Sequence, residues 1–398
     1  MNTLLREVGR LFTPGRPVAE NQDVLVRDGV IAATGPSGSL TPPPGTIEHD
    51  CQGALLTPGL IDSHTHPLYS HPRLPEIALR SSGAGYAEIA AAGGGINATV
   101  RDTRALSWAE LELGLRARLR RWLEAGTTTV EAKTGYWLER QGELDAVELL
   151  HRLSGDPRLP QLVVTFLGAH QLPPEFDGRR QDYVDAVSSW ADDAHHKGAR
   201  FCDVFCDDGA FTVAESAQIL GRAREAGLLL RIHADELALT GATRLAAQLG
   251  AVSADHLLRI GADDVDALAK SPTVATLCPV TALAIGKTPP ARDLLAAGVP
   301  LALGSDHNPG TSGATSMTLI VWLAVSELGL SVEQALSAAT AGGARSLGQV
   351  DRGRVEPGLV ADLVLWDTDH EGAFAWSPNL EPRQVWRHGE PVSATSPG

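Results

Sequence analysis

The stretch LLTPGLIDSHTH, Leu55 to His66, runs from apolar residues into two histidines two positions apart. Residues i and i+2 of a strand face the same way, so His64 and His66 are placed to reach one metal ion together, with Asp62 on the same face. Thr57-Pro58-Gly59 kinks the run without ending it. A lone pair of this kind carries little weight, because imidazole is commonly satisfied by ordinary hydrogen bonds. Recurrence gives it weight. His233 in LLLRIHADE, His256 in AVSADH and Asp306 in PLALGSDHNPG each stand just after an apolar run. Candidate ligands at the ends of successive strand-like segments are what a catalytic metal at the mouth of a barrel requires.

Outward from that stretch, helix-period and strand-type segments alternate across a repeated junction. EAG precedes TTTV, EAG precedes LLLRI, QLG precedes AVSA and AAG precedes VPLAL. Glycine after the last helical residue marks a helix stopping in the left-handed conformation and a parallel strand beginning. With the runs near 55, 162, 202 and 273 these make eight βα units, and the expected fold is an α/β (β/α)8 TIM-type barrel over residues 55–349. The alternative, a doubly wound sheet, would carry a glycine-rich phosphate loop after its first strand, where HTH stands. Residues 1–54 and 350–398 read as short β segments separated by turn signals, with no helix period. Neither end buries a core alone, so the two are expected to pair into one small β-sandwich domain.

The chain has 398 residues, 43% hydrophobic and 20% charged, with a formal net charge of -15. That charge excludes a nucleic-acid surface or an anionic membrane as the main partner, since either needs a basic face. A small anionic substrate needs only one or two local arginines. Cys51, Cys202, Cys206 and Cys278 are too scattered for a disulfide framework and read as buried apolar residues in a reducing compartment. Arg6 and Glu7 interrupt the apolar start, and the longest nearly apolar run, Met317 to Val325, is far short of a membrane span. A cytoplasmic location is the expectation.

On a barrel, the rim groups fall in order. They are His64 and His66; Glu131, Lys133 and Tyr136; His170; Asp207 and Asp208; His233, Asp235 and Glu236; Asp255 and His256; and finally Asp306, His307 and Asn308. The seventh segment, ATLCPV, offers no good ligand. HTHP, AGGGI at 92–96, VEAKTGY, TFLGAHQLPPE, HADE, SADHL, SDHNPGT and VEPGLVADLVLWD occur in one order over most of the chain. Together they resemble the imidazolonepropionase family of the metal-dependent amidohydrolase superfamily.

The resemblance implies one divalent metal per chain, zinc or iron, held by His64, His66, His233 and Asp306. It implies hydrolysis of a cyclic amide, 4-imidazolone-5-propanoate, to N-formimidoyl-L-glutamate in histidine degradation. The residue types suit that chemistry, because a metal polarises a carbonyl and makes water a strong nucleophile near neutral pH. Asp306 is then placed to take a proton, Glu236 to give one to the departing nitrogen, and His256 to hydrogen-bond the carbonyl oxygen or the water. By the same resemblance Arg73 anchors the substrate's carboxylate, a planar fork being its natural partner. Tyr86, Tyr136 and His170 match positions that line the ring, and Asn308 and Gly310 offer amide and backbone donors. A homodimer is implied as well.

Ordinary alternatives exist for several of these: a rim salt bridge for Arg73, loop packing for Tyr86, support of a ligand for His170. The chain departs from the family at His71 and Pro72, in LCPVTALAIGKTPP, and at His307 where Phe is common, changes expected to touch the cavity wall. A deaminase of a heterocyclic amine would share the metal residues and differ at the carboxylate anchor. A non-catalytic barrel would be expected to lose ligands that are all present here.

Overall fold

The structure is a computed structural model that describes residues 2–83, 88 and 93–392. Tyr86 lies outside the described residues. The N-terminal segment supplies β1 (Asn2–Leu11), β2 (Ala19–Arg27), β3 (Val30–Pro36), β4 (Ile47–Asp50) and β5 (Leu55–Pro58). The middle supplies β6 (Leu60–Asp62), β7 (Thr127–Lys133), β8 (Gln161–Ala169), β9 (Phe201–Cys206), β10 (Leu229–Ala234), β11 (Ser253–His256), β12 (Val274–Leu277) and β13 (Leu301–Leu303). The C-terminal segment adds β14 (Leu363–Trp366), β15 (Pro382–Arg387) and β16 (Glu390–Pro391).

β6 to β13 lie side by side in sequence order, every pair parallel. Backbone bonds from Ser63 to Leu303 (3.2 Å), Asp306 to His64 (2.9 Å) and His66 to His307 (2.8 Å) join the last strand to the first. The sheet therefore closes into the eight-stranded TIM-type barrel. The four glycines at the predicted junctions, Gly126, Gly227, Gly250 and Gly298, all have positive φ, as a helix ending directly before a parallel strand demands. Helices open on the expected signals too: Ser107 and Glu110 form a reciprocal capping box before Trp108–Glu124, as Thr212 and Glu215 do before Val213–Glu225.

The run from Leu55 is not one barrel strand, as its sequence suggested, but two strands in different sheets. β5 pairs with β1 and β14 in the sheet made by the chain ends, and only β6 enters the barrel. Gly59 is the crossing point: a Cβ there would lie 2.1 Å from Thr128 Oγ1, so only glycine lets the chain pass that close to β7. The chain ends build one mixed sheet, ordered β16-β15-β14-β5-β1-β2-β3 with β4 beside β1. Its core of Leu5, Val8, Val24, Ile31, Leu363 and Trp386 draws on both ends of the chain. Trp366 donates from its indole to Thr57 (2.8 Å) within this sheet and packs its ring over Gly126 at the foot of β7, joining the sheet to the barrel. No helix among the described residues is long and apolar enough to cross a membrane.

Candidate metal centre and active site

Three imidazoles converge at the C-terminal mouth of the barrel. His66 Nε2 lies 3.3 Å from both His64 Nε2 and His233 Nε2. Asp306 Oδ1 completes the set, 3.5 Å from His64 Nε2 and 3.4 Å from His66 Nε2. Tetrahedral ligands with metal–nitrogen bonds of about 2.0–2.1 Å stand about 3.3–3.4 Å apart. The three imidazoles fit one divalent ion at about that spacing, with Asp306 beside His64 and His66 as a fourth donor. All four are buried.

Beneath them lies a network of charges with no access to water. Lys133 Nζ donates to Glu131 (2.7 Å) and Asp203 (2.7 Å), and Arg231 donates to Asp255 (3.0 Å) and to the carbonyls of Ser63 and Ser346 (2.8 Å each). Three carboxylates against two cations leave one formal negative charge, and it faces the imidazoles. Asp255 Oδ2 is 2.6 Å from His64 Nδ1 and Asp203 Oδ2 is 3.0 Å from His233 Nδ1. The hydrogen bond to Asp255 assigns the ring proton of His64 to Nδ1 and turns its Nε2 lone pair toward the site, while Asp203 stands as a close charged neighbour of His233 Nδ1. Burial disfavours charge on Asp203, but His233 and Lys133 outweigh it and hold the carboxyl well below its ordinary range. For Lys133 burial likewise works against charge, and Asp203 and Glu131 overcome it. His64 is pushed well below its ordinary value and His233 to about 4, burial being the first cause in each, so both stay neutral and free to ligate.

Asp203 and Arg231 escaped the reading of strand ends because they sit inside their strands. A signal was present: Arg231 is two residues before His233, hence on the same inward face.

A second carboxyl group faces the same opening. Burial raises Glu236 from 4.5 to about 7, against the neighbouring His256, whose Nδ1 is 3.7 Å from Glu236 Oε1. His256 has burial against its charging, yet Glu236, Asp306 and Asp255 together raise it. Neither ring nitrogen of His256 has a hydrogen-bond partner. Asp306 is held low despite burial, by His66, by the charge of His256 and by a 2.5 Å bond from Thr281 Oγ1. Asp235, His256, Leu257 and Asp306 all have positive φ, a conformation that costs roughly 1–3 kcal/mol for a residue with a Cβ. Surrounding bonds impose it. Asp235 accepts from the backbone of Thr240, Gly241 and Thr243 and from the Thr243 hydroxyl, while Asp207 accepts from the N–H groups of Glu236, Leu237 and Ala238. The loop that carries Glu236 is thereby fixed.

These groups open onto a cavity of about 440 Å³. His170 stacks on His66 with ring centres 5.0 Å apart, its Nδ1 3.0 Å from the Gly135 carbonyl, and Tyr136 lies beside it at 5.2 Å. Both line the cavity. Arg73 lines it too, with its guanidinium engaged on two sides: Nε is 2.9 Å from Glu76 and Nη1 donates to Thr99 at 2.7 Å. The rim salt bridge and the cavity position therefore coexist in one residue. Gly310 forms the seat of this arginine, since a Cβ there would lie 1.9 Å from Arg73 Nη2. Asn308 lines the cavity, but its amide donates to the Asp306 carbonyl and Thr311, and its oxygen accepts the N–H groups of Gly310 and Thr311. Those donors are spent inside the turn.

Two expectations are corrected here. His307 is no part of the cavity wall; it is buried behind Asp306 between Tyr69 (2.9 Å to the hydroxyl) and Trp122, its Nδ1 3.1 Å from the Ala314 carbonyl. The seventh strand is not empty of ligand atoms either. Cys278, at its end, has Sγ within 4.8 Å of His64 and His256. Arg259 and Thr311, which also line the cavity, were not singled out from the sequence. His71, by contrast, is exposed and faces Asp102.

The amidohydrolase family matches residues 69–393. The chain is 43% identical to an imidazolonepropionase of Anaeromyxobacter sp. (strain K), over 86% of this chain and 83% of that protein. It is 38% identical to an imidazolonepropionase of Syntrophobacter fumaroxidans, over 98% of this chain and 97% of that protein. Among solved structures, a zinc-bound adenosine deaminase from Xanthomonas campestris superposes with a TM-score of 0.74 at 21% identity, over 98% of this chain and 92% of that one. A 5-methylcytosine deaminase from Klebsiella pneumoniae gives 0.76 at 16% identity, over 100% and 99%. At such identities the structural likeness concerns the fold.

Proposed function

The chain belongs to the imidazolonepropionases of the amidohydrolase family, and from that membership we propose that it hydrolyses the cyclic amide of 4-imidazolone-5-propanoate to N-formimidoyl-L-glutamate. The observation that carries the proposal is the meeting, at one cavity, of a three-histidine cluster with Asp306 beside it, a buried carboxyl group raised toward neutrality and an arginine. The first supports attack on a carbonyl, the second supports departure of a nitrogen, and the third supports recognition of a carboxylate.

His64, His66, His233 and Asp306 would hold the divalent ion, zinc or iron on the strength of their nitrogen and oxygen donors. When bound, such an ion supplies Lewis acidity, polarising a carbonyl oxygen and acidifying water. Asp306, ionised across the neutral range, takes the proton of the attacking water. Glu236, whose protonated form burial favours, hands its proton to the departing ring nitrogen. His256, with both ring nitrogens unpartnered, offers an N–H to the carbonyl oxygen as negative charge develops there. Tyr136 and His170 flank the ring, and Arg73 holds the propionate.

The assay is direct: loss of the imidazolone ring's ultraviolet absorbance with appearance of formimidoylglutamate, in protein carrying about one metal per chain. Metal without ring opening would refute the substrate assignment and call for a panel of heterocyclic amines. A cytoplasmic homodimer is part of the same proposal, to be checked by light scattering of the purified chain.

A further inference from the structure

Among the described residues, two arginines line the cavity, and only one has its charge offset by protein. Arg73 is paired with Glu76 at 2.9 Å. Arg259 has no carboxylate within ion-pair distance; its one side-chain bond runs from Nε to the Glu236 carbonyl at 3.4 Å, which leaves both terminal amines without a protein acceptor. The residue is half-buried and firmly placed. Its N–H donates to the Asp235 carbonyl (2.9 Å), and it follows His256 and Leu257, whose positive φ fixes the turn. Arg73 follows β6 and Arg259 follows β11, three strands apart round the closed barrel, and both line the cavity that His66, His233 and Asp306 also line.

A guanidinium held at a cavity wall with two free amines is a bidentate anion receptor. Resting on the reaction proposed above, the product presents a second carboxylate for which such a receptor is available. Hydrolysis breaks the ring C–N bond, joins the hydroxyl of water to the carbonyl carbon and places hydrogen on the nitrogen. The acid so formed loses a proton near neutral pH, so a ligand that entered with one carboxylate leaves with two. We infer that Arg259 is a second carboxylate-binding residue, and that Arg73 and Arg259 together make the cavity selective for dicarboxylates.

The test is an equilibrium measurement, independent of turnover. Metal-loaded wild type, Arg259→Ala, Arg259→Lys and Arg73→Ala are titrated by calorimetry with glutarate, a bare dicarboxylate, and with butyrate, its monocarboxylate counterpart. Glutarate should bind the wild type at least about tenfold more tightly than butyrate, and Arg259→Ala should erase that preference, with Arg259→Lys falling between because it keeps charge without the planar fork. Equal losses for both ligands would report a disturbed wall and overturn the inference. So would an unchanged preference, or no detectable glutarate binding by the wild type. If the wild type fails to open the imidazolone ring yet loses its glutarate preference in Arg259→Ala, the proposed reaction falls and the two-arginine site stands. Ring opening with an unchanged preference gives the reverse.

Discussion

Replacing Glu236 by glutamine should make the protein more stable in alkaline solution and nearly inactive. The carboxyl is raised from 4.5 to about 7, chiefly by burial. Folded protein thus holds this proton over a range in which the unfolded chain has lost it. A raised pKa favours folding fully only in acid, and the benefit disappears as pH rises through about 7. Each pH unit between the two values is worth about 1.4 kcal/mol, so by pH 8.5 ionising the buried group has cost the native state about 3 kcal/mol. Glutamine keeps the shape and carries no charge. Its stabilising effect in metal-stripped protein should grow from near zero at pH 4 to about 3 kcal/mol at pH 8.5, read from urea or thermal unfolding. Turnover should fall by about 10²–10⁴, because the proton donor is gone, while metal content stays unchanged. In the wild type, activity should decline above about pH 7 as the donor ionises. Equal stability of the two proteins across that range, or an unaltered kcat, would refute the assignment of a buried, proton-carrying Glu236.

Other substitutions probe other parts of the site. His233→Ala removes one of three converging imidazoles, and metal analysis should find the ion lost together with activity; an ion retained at one per chain would sink the ligand set. Lys133→Met leaves Glu131 and Asp203 buried without their shared cation. It should cost about 3–5 kcal/mol of unfolding free energy, and a loss below about 1 kcal/mol would show that the network is not held by this lysine. Gly310→Ala drives a methyl group into Arg73 Nη2. KM for the carboxylate substrate should rise about tenfold with kcat little changed, and an unchanged KM would mean that the substrate does not use Arg73.

The sequence determined the parts of this protein that depend on neighbours along the chain. Glycine-terminated helices feeding β-rich runs specify eight parallel units, because the left-handed cap and the two-residue strand period are local properties. The same period puts His64 beside His66, and the apolar run before His233, His256 or Asp306 places each near a strand end. Tertiary structure decided whatever depends on residues that meet only after the barrel closes. Leu55–Pro58 join β14 rather than the barrel because their pairing partner lies some three hundred positions away in sequence, and Gly59 alone allows the crossing beside Thr128. Lys133, Asp203 and Asp255 become one network because β7, β9 and β11 are bent round a common axis. Nothing in the local sequence of any of them records that. Cavity membership follows the same rule: His307, adjacent to a ligand, turns away behind Trp122, whereas Arg259 turns in. The raised pKa of Glu236 is likewise a product of burial, won against the opposing charge of His256, and both exist only in the folded chain.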